Sequence, residues 1–341
     1  MSTNAEIILA SRPTGAPVAA NFEHRAIEMP TIGDGQVHLR LIYLSLDPYL
    51  RGRMNAGKSY VPPFEVGAAM GSGCVAEVME SRNDGFAAGD LVMGGIDWVE
   101  HQAHSGEGLM KLDGRTKPSY ALGVLGMPGM TAWAGLNIHG KPKEGETLVV
   151  SAASGAVGSL VTQLGKSYGL RVVGVAGGAE KCGYVVDELG ADACVDHRDP
   201  DLNAKLAAAC PNGADIYFEN VGGVTLDAVV PLMNPFSRMP VCGMIAHYND
   251  TGAAEGQDRL PFMMRSILTK RIAVRGFIVR DHWEKFPDFL AEVGPKVMSG
   301  EIKVKETMTP GLENTPAAFI SLLEGGNFGK QVVQVGADPT A

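Results

Sequence analysis

No stretch of the chain approaches the roughly 18 consecutive apolar residues that a membrane-spanning helix requires, although 45% of its residues are hydrophobic. A transmembrane protein is therefore not expected. The start, MSTNAEIILASRP, carries an acid and lacks the basic segment followed by an apolar core that marks a secretion signal, so a cytoplasmic location is expected. Lysine and arginine never cluster, and the net charge is −9, which argues against nucleic acid as a general partner. Any phosphate site must then be a local basic pocket. Cysteine is also sparse: Cys74, Cys182, Cys194, Cys210 and Cys242 are odd in number and scattered, with no pair at zinc-knuckle or redox-motif spacing. Reduced, partly buried thiols are the expectation.

At 341 residues the chain is longer than one hydrophobic core usually spans, so two domains are expected. Residues 1–126 read as short strands and loops: Gln36–Ser45 alternates like a sheet strand, Gly71–Val78 enters a second through glycines, and Leu91–Met93 follows the turn at Gly89. The segment HQAHSGEG at 101–108 reads as an exposed loop. At Gly126 the texture changes, with Pro128 placed to begin a helix. From Thr147 strands and helices alternate. Strands are expected at Thr147–Ala152, Arg171–Ala176, Ala193–Asp196, Asp215–Glu219, Met239–Cys242 and Arg271–Ile278, with helices at Val157–Tyr168, Glu180–Leu189, Asp201–Ala209 and Thr225–Met233. β-branched strands recurring between helices predict an α/β doubly wound parallel sheet of about six strands. Asn249–Gln257, rich in Gly, Asp and Asn, is the stretch most expected to be mobile. Past residue 300 come a strand-like Ile302–Thr307, a helical Thr315–Leu323 and a closing strand Gln331–Val335, a tail able to rejoin the N-terminal module.

The stretch TLVVSAASGAVGS, Thr147–Ser159, passes from an apolar strand through small residues into a helix start, the layout of a dinucleotide-binding βα unit. Its six turn residues, Ala153-Ser154-Gly155-Ala156-Val157-Gly158, depart from GxGxxG at Ala153, so the surrounding strand–turn–helix carries the reading. Gly155 would let the backbone approach a pyrophosphate, and Gly158 would let the helix pack against its strand. The second strand ends in Ala176-Gly177-Gly178-Ala179-Glu180-Lys181, without the acid that usually holds a ribose 2′-hydroxyl. Lys181 can instead meet a 2′-phosphate, and His197 and Arg198 are placed to reach the same pocket. NADP(H) is favoured over NAD(H). Glu180 is expected to point outward, where an acid suits the first turn of a helix.

Several motifs, in order over nearly the whole chain, resemble the zinc-independent medium-chain dehydrogenase/reductases, in the prostaglandin reductase and alkenal double-bond reductase branch. They are LDPYLR (46–51), GMPGMTA (126–132), AASGAVGS (152–159), ENVGG (219–223), CGMI (242–245) leading to Tyr248-Asn249, and GNFGK (326–330). The resemblance implies a Rossmann NADP-binding domain over 127–300, a GroES-like β-rich catalytic domain formed by both chain ends (1–126 with 301–341), and a homodimer. It also implies that Lys181 binds the 2′-phosphate, at a site where the position of His197 is commonly tyrosine. Asn220 would border the nicotinamide ribose, Asn327 would help hold the nicotinamide end, and Tyr248 and Tyr49 would stand on the substrate side.

Zinc-dependent relatives use a catalytic cysteine and a four-cysteine lobe; here Asp47-Pro48 stands at the catalytic position, and Cys74 is the only cysteine before residue 182. No metal is expected. Without a metal to polarise an alcohol, reduction of a carbon–carbon double bond conjugated to a carbonyl is the favoured chemistry, because hydride can add at the β-carbon and leave an enolate that needs only hydrogen-bond donors. Tyr248 is a candidate donor and proton source, or a wall of the pocket. The expected substrate is a small enone or enal. Trp98, Tyr49, Tyr60, Phe64 and Met70 could line an apolar pocket or be ordinary core. A quinone reductase of the same superfamily and a non-catalytic NADPH-binding relative remain open alternatives.

Overall fold

The structure, a computed structural model, describes residues 4–252 and 258–341. Residues 253–257 of the Asn249–Gln257 stretch lie outside the described residues. The chain divides into two compact units, Met1–Gly123 with Glu306–Ala341, and Val124–Lys305. In chain order the strands are β1 (Asn4–Leu9), β2 (Phe22–Ile27), β3 (Val37–Ser45), β4 (Gly71–Ser81), β5 (Leu91–Asp97), β6 (His101–His104), β7 (Met110–Lys111), β8 (Thr147–Ser151), β9 (Arg171–Ala176), β10 (Ala193–Asp196), β11 (Ala214–Phe218), β12 (Met233–Val241), β13 (Ala273–Gly276), β14 (Glu306–Pro310) and β15 (Lys330–Gln334).

In Val124–Lys305 six parallel strands lie in the order β10-β9-β8-β11-β12-β13, the doubly wound Rossmann arrangement. The central strands are apolar and β-branched because both of their faces are covered: every residue of β8 is buried, and β9 is buried from Val172 to Ala176. Helices Gly158–Ser167, Ala179–Asp187, Leu202–Ala209 and Gly223–Val229 intervene between the strands. Two expectations need correction. The helix placed at Thr225–Met233 gives way to a 3-10 turn at Val230–Leu232, and the fifth strand starts at Met233 rather than Met239. Pro235 and Pro240 mask that strand in the sequence, since proline reads as a strand breaker.

The other unit is β-rich. Seven strands form one sheet, β14-β15-β3-β4-β5-β7 with β6 also paired to β3, and β1 and β2 form a separate antiparallel ribbon. His101–His104 is therefore a strand and not an exposed loop. It pairs with Val37–Arg40, its residues are half-buried, and the imidazoles of His38 and His101 meet at 3.1 Å. The tail strand also starts later than expected, at Glu306, because its parallel partner on β15 begins opposite, at Lys330. Trp98, Phe64 and Met70 belong to the core of this unit, whereas Tyr60 is exposed and Tyr49 packs at the core's margin.

One buried ion pair ties the two chain ends together within this unit. Lys330, 4% exposed, donates from Nζ to Asp47 Oδ1 at 2.9 Å and to the Leu46 carbonyl at 2.7 Å, and Asp47 also accepts from the Ser45 hydroxyl. Removing one partner strands a charge away from water. Asp47→Ala should therefore lower stability by about 3–5 kcal/mol, read as a fall in the urea midpoint, while the double change Asp47→Leu with Lys330→Met should cost less than either single change.

Candidate cofactor site and active site

The glycine turn leaves β8 at Ser151. Ala152 adopts a left-handed conformation (φ 49°), its carbonyl accepts from Gly155 N at 2.9 Å, and Ala153 N donates to Val175 O on β9 at 3.0 Å. The departure from GxGxxG is thus absorbed by the fold, with Ala153 fully buried against β9. Gly158 is obligatory, because a Cβ there would lie 2.2 Å from the Ala152 carbonyl oxygen. Ser154, Gly155, Ala156 and Val157 form the rest of the turn. The helix starts at Gly158, directly after this turn, and the positive end of its dipole suits a pyrophosphate.

At the end of β9 the sequence-identified cations come together. A Cβ at Gly177 would lie 2.9 Å from His197 Nε2 and 3.3 Å from a terminal nitrogen of Arg198. Lys181, in the first turn of helix Ala179–Asp187, is half-buried; burial and the nearby Arg198 guanidinium push its ammonium pKa down. Glu180 is exposed. The cations crowd one another and gain from an anion placed between them, so the residues present fit a 2′-phosphate.

At the carboxyl ends of β8 and β11 lies a network that sequence reading missed. Glu219 is 1% exposed; its carboxylate accepts from Ser151 Oγ (2.9 Å), Tyr217 OH (2.8 Å) and Val221 N (2.6 Å). Ser151 Oγ in turn accepts from Asn220 N, and Asn220 Nδ2 donates to Ser151 O, both at 2.7 Å. The Asn220 amide group is thereby committed, and among the described residues no donor reaches its carboxamide oxygen. That oxygen can accept from a ribose hydroxyl.

Tyr248 follows a 3-10 turn, Ile245–His247, that is sewn to the β11 exit by Ile245 N to Asn220 O (3.2 Å) and Ala246 N to Val221 O (2.9 Å). His247, also unassigned from sequence, adds a third tie: its Nε2 accepts from Gly223 N at 3.2 Å while its Nδ1 meets Asp250 at 2.8 Å, an arrangement that selects the Nδ1–H tautomer. The Tyr248 oxygen accepts from Met244 N at 3.3 Å, and a Cβ at Gly243 would fall 2.9 Å from that oxygen and 3.3 Å from Asn220 O. Asn220 and Tyr248 therefore converge on Gly243. Burial raises the Tyr248 pKa, so the phenol stays protonated and keeps its hydrogen to donate.

The remaining assigned residues lie in the β-rich unit. Tyr49 precedes the short helix Leu50–Arg53, and its phenol pKa is raised by burial and by Asp47. Asn327 spends its amide group within its own turn, donating to Gly329 O at 2.7 Å. The Asp47–Lys330 pair joins the segments that carry these two residues. No group of three or more His, Cys, Asp or Glu able to hold a metal occurs among the described residues.

Removing the Lys181 charge should weaken binding of a 2′-phosphorylated dinucleotide by about ten- to a hundredfold, the worth of one charge-assisted bond; fluorescence titration of Lys181→Ala with NADPH should show the loss, and NADH binding should be unchanged. Residues 5–112 match a family model described as the N-terminal domain of oxidoreductase, and residues 156–294 one described as zinc-binding dehydrogenase. The chain is 51% identical to an NADPH-dependent curcumin reductase of Escherichia coli, over 98% of both chains. It is 41% identical to a 2-alkenal reductase (NADP(+)-dependent) of Nicotiana tabacum, again over 98% of both. Among solved structures, CurA from Vibrio vulnificus in complex with NADPH is 48% identical, with a TM-score of 0.94 over 98% of this chain and 100% of that one. Identity of this extent over the whole length, on a Rossmann sheet joined to a β-rich unit, shows that the chain belongs to the zinc-independent medium-chain dehydrogenase/reductases, in the branch of the alkenal and curcumin reductases.

Proposed function

We propose that the protein uses NADPH to reduce the carbon–carbon double bond of α,β-unsaturated aldehydes and ketones. Val124–Lys305 serves as the cofactor domain, and Met1–Gly123 with Glu306–Ala341 as the catalytic domain. NADPH, when bound, would supply hydride chemistry directed at the substrate's β-carbon. The chain's own residues have three tasks. Lys181, with His197 and Arg198, holds the 2′-phosphate, and the turn Ser154–Gly158 receives the pyrophosphate. Asn220 orients the nicotinamide ribose through its carboxamide oxygen, and Asn327 supports the nicotinamide end. Tyr248 donates a hydrogen bond to the oxygen on which enolate charge develops and is the candidate proton source for the α-carbon. Tyr49 forms part of the substrate wall.

The observation that carries this reading is the Tyr248 hydroxyl: half-buried, protonated, accepting from Met244 N and so left with its own hydrogen to donate, beside Asn220. The names of the similar enzymes support the same substrate class. Tyr248→Phe should lower kcat for a medium-length enone by about 10²–10⁴-fold with little change in NADPH affinity, as measured by NADPH consumption. Unchanged turnover would reduce Tyr248 to a wall. Faster turnover of a simple quinone than of any enone would favour quinone reduction, and tight NADPH binding without turnover of either would favour a non-catalytic role.

We also propose a homodimer. β13 is the edge of the parallel sheet and exposed along its length, and helix Leu260–Lys270 presents Leu260, Phe262, Met264 and Leu268 to solvent. Antiparallel pairing of β13 with its copy would satisfy that edge. Light scattering should give the mass of two chains, and Val274→Lys should shift it to one. The five cysteines are free thiols, which suits a reducing compartment such as the cytoplasm, and no helix among the described residues is long and apolar enough to cross a membrane.

A further inference from the structure

We propose that His197 couples recognition of the 2′-phosphate to protonation: its imidazole, set beside Arg198 against the Gly177 turn, takes up a proton from solvent when the phosphate binds. The inference rests on the NADP(H) reading and adds a specificity device to it.

The geometry supplies the coupling. His197 follows β10, and its Nε2 lies against the turn that joins β9 to helix Ala179–Asp187, 2.9 Å from where a Gly177 side chain would begin. Arg198 reaches the same turn, 3.3 Å from that point. The charged groups that act on the imidazole are Arg198 and Asp196 from its own segment and Lys181 from the facing helix; Glu180 acts in turn on Lys181. Two cations against one adjacent acid disfavour a third positive charge. Solvent reaches the outer face of the ring, yet contact with the turn and the two cations together push the imidazole pKa down.

A 2′-phosphate reverses the sign of this environment. It brings a charge of about −1.5 to −2 to the Gly177 turn, where His197 and Arg198 meet and Lys181 also acts on the imidazole. The imidazolium then gains a partner, so its pKa in the complex lies above that in the free protein. Affinity linked to His197 is fully present below the free-state pKa and is lost as pH rises through the bound-state value. The phosphate's own second ionisation, near pH 6, acts oppositely but is largely complete above about pH 6.5. NADH lacks the group and should feel neither effect.

Isothermal titration of NADPH into the full-length protein between about pH 6.5 and 8.5, in buffers of different ionisation enthalpy, counts the protons directly. The expected result is net proton uptake with NADPH, none with NADH, and a fall in NADPH affinity of about three- to tenfold across the range, each unit of pKa change being tenfold. His197→Gln should still bind NADPH yet lose both the uptake and the slope. As a second measurement, the His197 imidazole proton resonance, assigned by its absence in His197→Gln, should titrate at higher pH in the NADPH complex than in the free protein. Equal proton counts and slopes in wild type and His197→Gln, or an imidazole that titrates identically with and without NADPH, would overturn the proposal. Equal affinity for NADPH and NADH in the wild type would instead show that the 2′-phosphate reading itself is wrong.

Discussion

The carboxylate of Glu219 is the constraint on which the cofactor unit depends. Its side chain gathers donors from Ser151, Tyr217 and Val221, its main-chain oxygen accepts from Cys242 and Gly243, and its N–H donates to Pro240. One buried residue thereby holds together the carboxyl ends of β8, β11 and β12. Those three ends deliver the glycine turn, Asn220 and Tyr248. A buried carboxylate is tolerable only when its oxygens are satisfied, and here three donors meet that condition.

In the other unit, Asp47 and Lys330 perform the corresponding task. The pair lies between β3 and β15, strands that are distant in sequence and adjacent in the sheet. Tyr49 follows Asp47 by two positions, and Asn327 precedes Lys330 by three. A buried ion pair gives little net stability compared with an apolar pair of similar volume, but it fixes one alignment of the two segments and penalises others. Its place beside both motifs holds two otherwise separate short sequences, LDPYLR and GNFGK, to one another.

The parallel sheet was legible because β8, β9 and β11 are buried on both faces and carry uninterrupted apolar or β-branched runs. β2 was not legible, since four of its six residues, Glu23–Ala26, are exposed and give no alternation. β6 was obscured for a related reason: two histidines and a glutamine in four residues look like a loop until β3 provides hydrogen-bond partners. In the site, Lys181, His197 and Arg198 could be placed from their spacing beyond the glycine turn, because strand ends in a βαβ unit follow local rules. Glu219 and His247 could not. Glu219 matters through Ser151, which lies 68 residues earlier, and His247 through Gly223, which lies 24 earlier. Neither partnership has a local signature.

The cation cluster and the Glu219 network differ in how they are built into the chain. Lys181, His197 and Arg198 stand on the exits of β9 and β10, at or near the surface, where the Lys181 and Arg198 charges repel each other and disfavour a charge on His197. Gly158, Ser151 and Glu219, by contrast, are buried and sterically or electrostatically committed. Under the proposed roles of these residues, preference between phosphorylated and unphosphorylated cofactors is a peripheral trait that mutation can retune step by step, while the capacity to hold a dinucleotide at all is inherited with the interior and lost only with it.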